Sequence, residues 1–154
     1  MTYKEYKDIR QKSVNDLPIF WAFSKSQFKE AMEERGLTEN DTDKIYSLGG
    51  GGYYLRSDAE VIRAFFNKKD ELPELMKDPV FAEDALFEEM KNHEFGINWQ
   101  GAWDVCQCFG DCEYGEEKGG VDYLREMGYG EETVAAYKRA KKRYYKMAEE
   151  NEWF

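Results

Sequence analysis

The chain has 154 residues, of which 42% are hydrophobic, 16% aromatic and 35% charged, and its formal net charge is −10 at pH 7. This length favours a single domain over residues 1–154, and the aromatic content argues against a disordered chain. Because no apolar run approaches the length of a membrane span, and the first residues lack the apolar core of a signal peptide, we expect a cytoplasmic protein without membrane contact.

The N-terminal part of the chain predicts two helices separated by a short apolar segment. A polar stretch over residues 3–13 carries aromatic and aliphatic residues at helical spacing. The apolar run at 19–23 is typical of a buried strand or a buried connection. Ser24 followed by Gln27 predicts the N-terminus of a second helix, which ends near Arg35.

Four consecutive glycines in the next part of the chain predict a β-hairpin. Gly49–Gly52 lies between two runs of β-prone residues, 44–48 and 53–56. We expect at least one of these glycines to have a positive φ angle. Ser57 with Glu60 three residues later has the pattern of a capping box and predicts the start of another helix.

The rest of the chain predicts three more helices and one irregular region. The pair Asp78-Pro79 is typical of a helix start, and the helix is expected over 79–94. Glycine, tryptophan and cysteine residues make 95–119 a loop-rich region. Helices follow over 121–127 and 131–150. The predicted fold is therefore α-rich α+β, with five or six helices around one small β-hairpin or sheet.

All three cysteines lie close together in the sequence and suggest a metal site. Cys106, Cys108 and Cys112 could bind zinc together with His93 or Asp111, since tetrahedral zinc sites use thiolate and imidazole ligands. The spacing is uncommon for zinc proteins, and buried cysteines are also ordinary core residues, for instance on one side of a strand. We therefore expect no stoichiometric zinc, and a small zinc-stabilised module with this ligand set is the alternative. An enzyme with a cysteine nucleophile is the least favoured alternative.

The negative charge is concentrated in the middle of the chain. Residues 70–117 contain 14 acids and two bases, whereas the remainder contains 18 acids and 20 bases. A concentrated acidic surface would bind a basic protein partner quickly and in a salt-dependent way. The net charge argues against direct nucleic-acid binding, although 138–146 is basic. Alternatively, the acids face water and partly pair with that basic last helix.

The predicted partner-binding residues are five acids of this middle region. They are Glu71, Glu74, Asp78, Asp84 and Glu88, and the acids of 111–117 could extend the same patch. Asp84 and Glu88 are one helical turn apart and therefore share a face of their helix. We expect their replacement by lysine to slow association and to leave folding nearly intact. Pairing of these two acids with the last helix would instead make the replacement destabilising.

Four segments resemble a family of small acidic proteins of unknown function from phages and conjugative elements of gut bacteria. They are Leu17–Ser24, Asp43–Tyr46, Gly51–Leu55 and Trp103–Cys106. The resemblance implies a mobile-element setting, in which proteins of this size and charge often act on host defence or element maintenance. We therefore expect a non-enzymatic protein that binds a basic partner, such as a nucleic-acid-handling host defence enzyme. The sequence indicates neither the identity of this partner nor the oligomeric state.

Overall fold

The computed structural model describes residues 1–153 and has an α-rich α+β fold, which confirms the predicted fold class. The helices are α1 (Tyr3–Asn15), α2 (Lys25–Glu34), α3 (Ala59–Asn67), α4 (Leu72–Leu75), α5 (Pro79–Asn92), α6 (Gly101–Gln107), α7 (Gly120–Glu126) and α8 (Glu131–Glu150). The strands are β1 (Ile19–Trp21), β2 (Ile45–Gly49) and β3 (Gly52–Leu55). The short helices α4 and α6 come in addition to the predicted ones.

The chain forms two compact units, each with its own core. The strand unit consists of Ile9–Lys69, and the helical unit consists of Met1–Asp8 together with the described residues from Asp70 onward. The division falls within α1. The single-domain organisation expected for residues 1–154 stays a prediction. Among the helices of residues 1–153, none is long and apolar enough to cross a membrane.

The strand unit contains an antiparallel sheet with the strand order β1-β3-β2. Phe20, Met32 and Ile45 form its buried centre, so the sheet and α2 bury apolar side chains against each other. The helix α2 begins as predicted, because the Ser24 hydroxyl accepts a hydrogen bond from the backbone N–H of Gln27 at 3.2 Å. The apolar run at 19–23 begins with strand β1.

The glycine run forms the predicted hairpin turn between β2 and β3. Gly49, Gly50 and Gly51 have φ angles of 82°, 58° and 89°, which confirms the expected positive φ. A Cβ atom added at Gly51 would lie 2.7 Å from the Phe23 ring, whereas one at Gly50 would meet no described atom within 4 Å. Because the exposed Phe23 ring can rotate aside, the contact that limits space at position 51 is the Ala22 carbonyl oxygen, 3.0 Å from the added Cβ atom. The turn therefore needs glycine at position 51 for two separate reasons, backbone conformation and space.

We expect Gly51→Ala to destabilise the strand unit by about 2 kcal/mol, because it combines a left-handed backbone with a close contact. Gly50→Ala is the matched control and should cost about 1 kcal/mol, since only the left-handed backbone opposes it. Urea denaturation followed by circular dichroism measures both. Equal losses in the two variants would contradict the role of the close contacts at position 51.

The helical unit is built around the packing of α5 against α8. The apolar faces of the two helices are buried as their sequence spacing predicts, with Ala82, Leu86 and Met90 on α5 and Tyr137 and Ala140 on α8. The N-terminus of α5 is also the predicted one. The Asp78 carboxylate accepts the backbone N–H groups of Val80 and Phe81.

Two local predictions from the sequence are wrong. Ser57 does not start a capping box, because a 3₁₀ turn over Arg56–Asp58 precedes α3. The alternation of Cys106 and Cys108 does not belong to a strand. Cys106 lies in α6, and Cys108 is the residue that ends this helix. Short helices such as α6 depend on tertiary packing, which local sequence signals do not report.

Candidate functional site

Among the described residues, the predicted zinc ligands do not form one group with converging ligand atoms. Cys106 is fully buried in the helical core, where its Sγ lies 3.7 Å from the Gly120 carbonyl oxygen. Cys112 is buried in the loop after α6, and its carbonyl oxygen accepts the indole N–H of Trp103 at 3.0 Å. Within residues 1–153, the group of three side chains with converging ligand atoms is instead Glu89, His93 and Cys108. Two of the predicted ligands therefore meet, and the third member is an acid.

Glu89, His93 and Cys108 form a compact polar cluster, called here the Glu–His–Cys cluster. His93 Nε2 lies 3.3 Å from Glu89 Oε2 and 3.5 Å from Cys108 Sγ. Cys108 Sγ lies 3.3 Å from Glu89 Oε2. Glu89 and His93 are four residues apart at the end of α5, so they share one helix face, and the end of α6 supplies Cys108.

The second carboxylate oxygen of Glu89 is held by donors from α1 and α5. Tyr3 Oη donates a hydrogen bond to Glu89 Oε1 at 2.9 Å, and Asn92 Nδ2 donates at 3.3 Å. Lys7 Nζ lies 3.6 Å from the same oxygen. Glu89 is only 6% exposed. Burial alone would raise the pKa of this carboxyl group, but hydrogen bonds from Tyr3 and Cys108 and the charge of Lys7 hold it below its ordinary value.

The cluster lacks the arrangement of a cysteine nucleophile with its general base. In a catalytic triad, one imidazole nitrogen faces the nucleophile and the other faces the acid. Here the same nitrogen, His93 Nε2, is the closest atom to both Cys108 and Glu89. Burial and the neighbouring Glu89 also raise the pKa of the Cys108 thiol to about 12, which disfavours a reactive thiolate.

The predicted acidic residues lie in the helical unit, and several are engaged within it. Asp84 Oδ2 accepts the backbone N–H of Tyr3 at 2.9 Å, so it holds the start of α1. Glu88 pairs with Lys91 at 2.7 Å and Glu74 with Lys77 at 2.8 Å. Asp78 caps α5. Glu71 is exposed and is the residue directly before α4. Asp84 is therefore half-buried, and the assignment of these five acids to partner binding stays a prediction.

An acid that was not singled out from the sequence pairs with the basic last helix. Glu83 Oε2 lies 2.8 Å from Arg139 Nε, and Glu83 Oε1 lies 3.3 Å from Arg143 Nη1. Hydrogen bonds from Arg139 hold the pKa of Glu83 below its ordinary value. Part of the acidic middle is therefore neutralised within the chain.

A second candidate site is an exposed aromatic surface beside acidic residues. The Trp99 side chain is 80% exposed, and its ring lies edge-on to that of Tyr114, with 6.0 Å between the centroids. The Tyr114 ring also lies edge-on to the Trp103 ring, with 5.6 Å between the centroids. The exposed acids on the same loop as Tyr114 are Asp111, Glu113, Glu116 and Glu117. Trp99 contacts this loop through Tyr114, and we call Trp99, Tyr114 and the four acids of the loop the Trp99 surface.

The loop that carries these acids is fixed at several points although it has no regular secondary structure. Tyr123 Oη donates to the Gly115 carbonyl oxygen at 3.1 Å and accepts the Gly115 N–H at 3.2 Å. Lys118 Nζ donates to the Glu113 carbonyl oxygen at 3.3 Å. Together with the Trp103 hydrogen bond, these contacts hold the acids in a defined arrangement, which lowers the entropic cost of binding.

Comparison with known proteins gives a family without an assigned activity. The family model that matches is described as "Family of unknown function (DUF7659)", and the match covers residues 2–150. No curated protein and no solved structure matches the chain.

Proposed function

The chain belongs to this family of unknown function, and we propose that it is a non-enzymatic protein that binds a basic protein partner. The proposed contact is the Trp99 surface. The observation that supports it best is the position of Trp99, a large aromatic side chain left 80% exposed beside a loop of exposed acids. Tryptophan is among the residues most enriched at the energetic centres of protein interfaces.

The distribution of charge between the two units supports a basic partner. The helical unit contains 23 acids and 12 bases, whereas the strand unit contains nine acids and ten bases. The net negative charge of the chain is therefore confined to the unit that carries Trp99. Such a field accelerates the approach of a positively charged protein and repels nucleic acid.

The setting of the proposed interaction comes from the sequence resemblance to mobile-element proteins. A cytoplasmic protein of a phage or conjugative element meets host enzymes that handle nucleic acid and carry basic grooves. We therefore propose inhibition of such a defence enzyme as the biological role. Binding of the partner by five further acids stays a prediction. They are Glu71, Glu74, Asp78, Asp84 and Glu88.

A photo-crosslinking residue beside the surface tests the proposal. Ile97 is exposed and two positions from Trp99, so Ile97→p-benzoylphenylalanine should capture the partner in host cells. The captured protein is then purified and its binding to the unmodified chain is measured by surface plasmon resonance. We expect Trp99→Ala to weaken affinity by about 30-fold, as at an interface hot spot. We expect Glu116→Lys with Glu117→Lys to slow association and to reduce its salt dependence.

A matched charge control separates local contact from overall charge. Glu30→Lys with Glu33→Lys makes the same change in net charge on the exposed side of α2 in the strand unit. This variant should associate nearly as fast as the original chain. If it loses as much affinity as the Trp99 surface variants, or if the captured protein is acidic, the proposal is wrong.

A further inference from the structure

We infer that Glu89, His93 and Cys108 bind one divalent transition-metal ion with the preferences of zinc. The inference is independent of the proposed partner binding and assigns a site that the cysteine spacing alone did not indicate. The ligand atoms are Glu89 Oε2, His93 Nε2 and Cys108 Sγ, which converge within 4.8 Å of one another.

The distances in the cluster match those between the ligands of a tetrahedral zinc ion. Zinc binds sulfur at about 2.3 Å and nitrogen or oxygen at about 2.0–2.2 Å, so tetrahedral angles place the ligand atoms roughly 3.3–3.6 Å apart. The observed separations are 3.3 Å between Nε2 and Oε2, 3.5 Å between Sγ and Nε2, and 3.3 Å between Sγ and Oε2. The three ligand atoms therefore already lie at about the separations that a tetrahedral zinc ion requires.

The donor set selects for a metal of intermediate softness. A thiolate, an imidazole and a single carboxylate together favour zinc and its neighbours over magnesium or calcium, which prefer oxygen ligands. A divalent ion would also offset the negative charge of a Cys108 thiolate beside the Glu89 carboxylate, which Lys7 faces from the other side at 3.6 Å. The His93 side chain is 34% exposed, so solvent can reach the cluster and supply a fourth ligand.

Three polar atoms surround the Cys108 sulfur. They are Glu89 Oε2 at 3.3 Å, His93 Nε2 at 3.5 Å and the Asp104 carbonyl oxygen at 3.5 Å, and the thiol has one proton to donate to them. A metal ion contacts all three ligand atoms at once. The hydrogen bonds of Tyr3 and Asn92 to the remaining Glu89 oxygen have the position of outer-shell contacts that orient a ligand.

The inference revises the expectation of no zinc drawn from the cysteine spacing. That expectation concerned Cys106, Cys108 and Cys112 as joint ligands with His93. The structure supplies a different set, in which Glu89 replaces two thiols, and Cys106 and Cys112 are core residues. A substitution of Cys112 therefore distinguishes the two ligand sets.

Titration of the chelator-treated full chain with Co²⁺ and then Zn²⁺ tests the site. We expect one Co²⁺ per chain, with a thiolate-to-cobalt charge-transfer band in the near ultraviolet that Zn²⁺ abolishes by displacement. Cys108→Ser should remove the band. His93→Gln should weaken affinity at least about 100-fold, and Tyr3→Phe, which removes an outer-shell contact, by about 10-fold.

Cys112→Ser is the matched control, because it removes a thiol from the same segment without touching the cluster. It should bind Co²⁺ as the original chain does, and circular dichroism should show that each variant is folded. Absence of saturable Co²⁺ binding by the original chain would overturn the inference. Binding that survives Cys108→Ser but is lost in Cys112→Ser would overturn it equally, in favour of a different ligand set.

Discussion

Gly120→Ala is expected to lower the free energy of unfolding of the helical unit by about 3 kcal/mol or more. Gly120 begins α7 and lies against the ring of Tyr137 on α8, and a Cβ atom there would clash with that ring. The Tyr137 side chain is itself buried. Neither the ring nor the helix can move aside without disturbing the packed core. Urea denaturation followed by tryptophan fluorescence measures the loss.

The neighbouring glycine provides the control for this prediction. A Cβ atom at Gly119 would have Asp122 Oδ2, at 4.0 Å, as its nearest described neighbour. Gly119 is the N-cap of α7, a position where glycine is favoured over alanine. Gly119→Ala should therefore cost about 1 kcal/mol, well below the loss expected for Gly120→Ala. Similar losses in both variants would mean that a general preference for glycine at this turn, and not the Tyr137 contact, determines the effect.

Features set by neighbouring residues were predictable from the sequence. Ser24 and Asp78 cap the helices that they were expected to cap, and the run Gly49–Gly52 forms the expected turn. The two caps depend on side chains that reach backbone groups two or three positions away. The turn depends on the freedom of glycine to adopt a positive φ angle. The burial of one face of α5 was predictable for the same reason, since helical spacing determines which residues share a face.

The candidate sites depend on contacts that the sequence does not report. Glu89 and His93 are four residues apart on α5, which is a local signal, but Cys108 joins them through the packing of the end of α6. Trp99 lies in the turn before α6 and Tyr114 in the loop after it, and the two rings meet through the fold in the same way. The order of the cysteines in the chain was therefore a poor guide, because it grouped residues that the fold separates.

The role of the acidic middle in stability can be measured on one helix. Leu86 is fully buried on α5, and Leu86→Ala is expected to destabilise the helical unit by about 3 kcal/mol, through lost burial and the cavity left behind. Glu83 lies on the same helix and pairs with Arg139 and Arg143. Because both arginine side chains are about half exposed, Glu83→Gln should cost less than about 1 kcal/mol. Thermal or urea unfolding of the two variants compares directly the stability that comes from Leu86 burial with the stability that comes from the Glu83 ion pairs.

The pH dependence of the Glu83→Gln effect provides an independent check. The pKa of Glu83 is held below its ordinary value of 4.5 by the hydrogen bond from Arg139. A carboxylate with a lowered pKa stabilises the folded chain above its unfolded pKa, and this stability is lost as the pH falls through the folded pKa. The difference in free energy of unfolding between the original chain and Glu83→Gln should therefore be greatest near neutral pH and should shrink below pH 4.5, whereas the Leu86→Ala loss should persist.

A Glu83→Gln loss as large as that of Leu86→Ala would mean that the acids of α5 chiefly stabilise the packing on α8. Their negative charge would then be a structural feature of the helical unit, and only the loop acids beside Trp99 would remain to attract a partner.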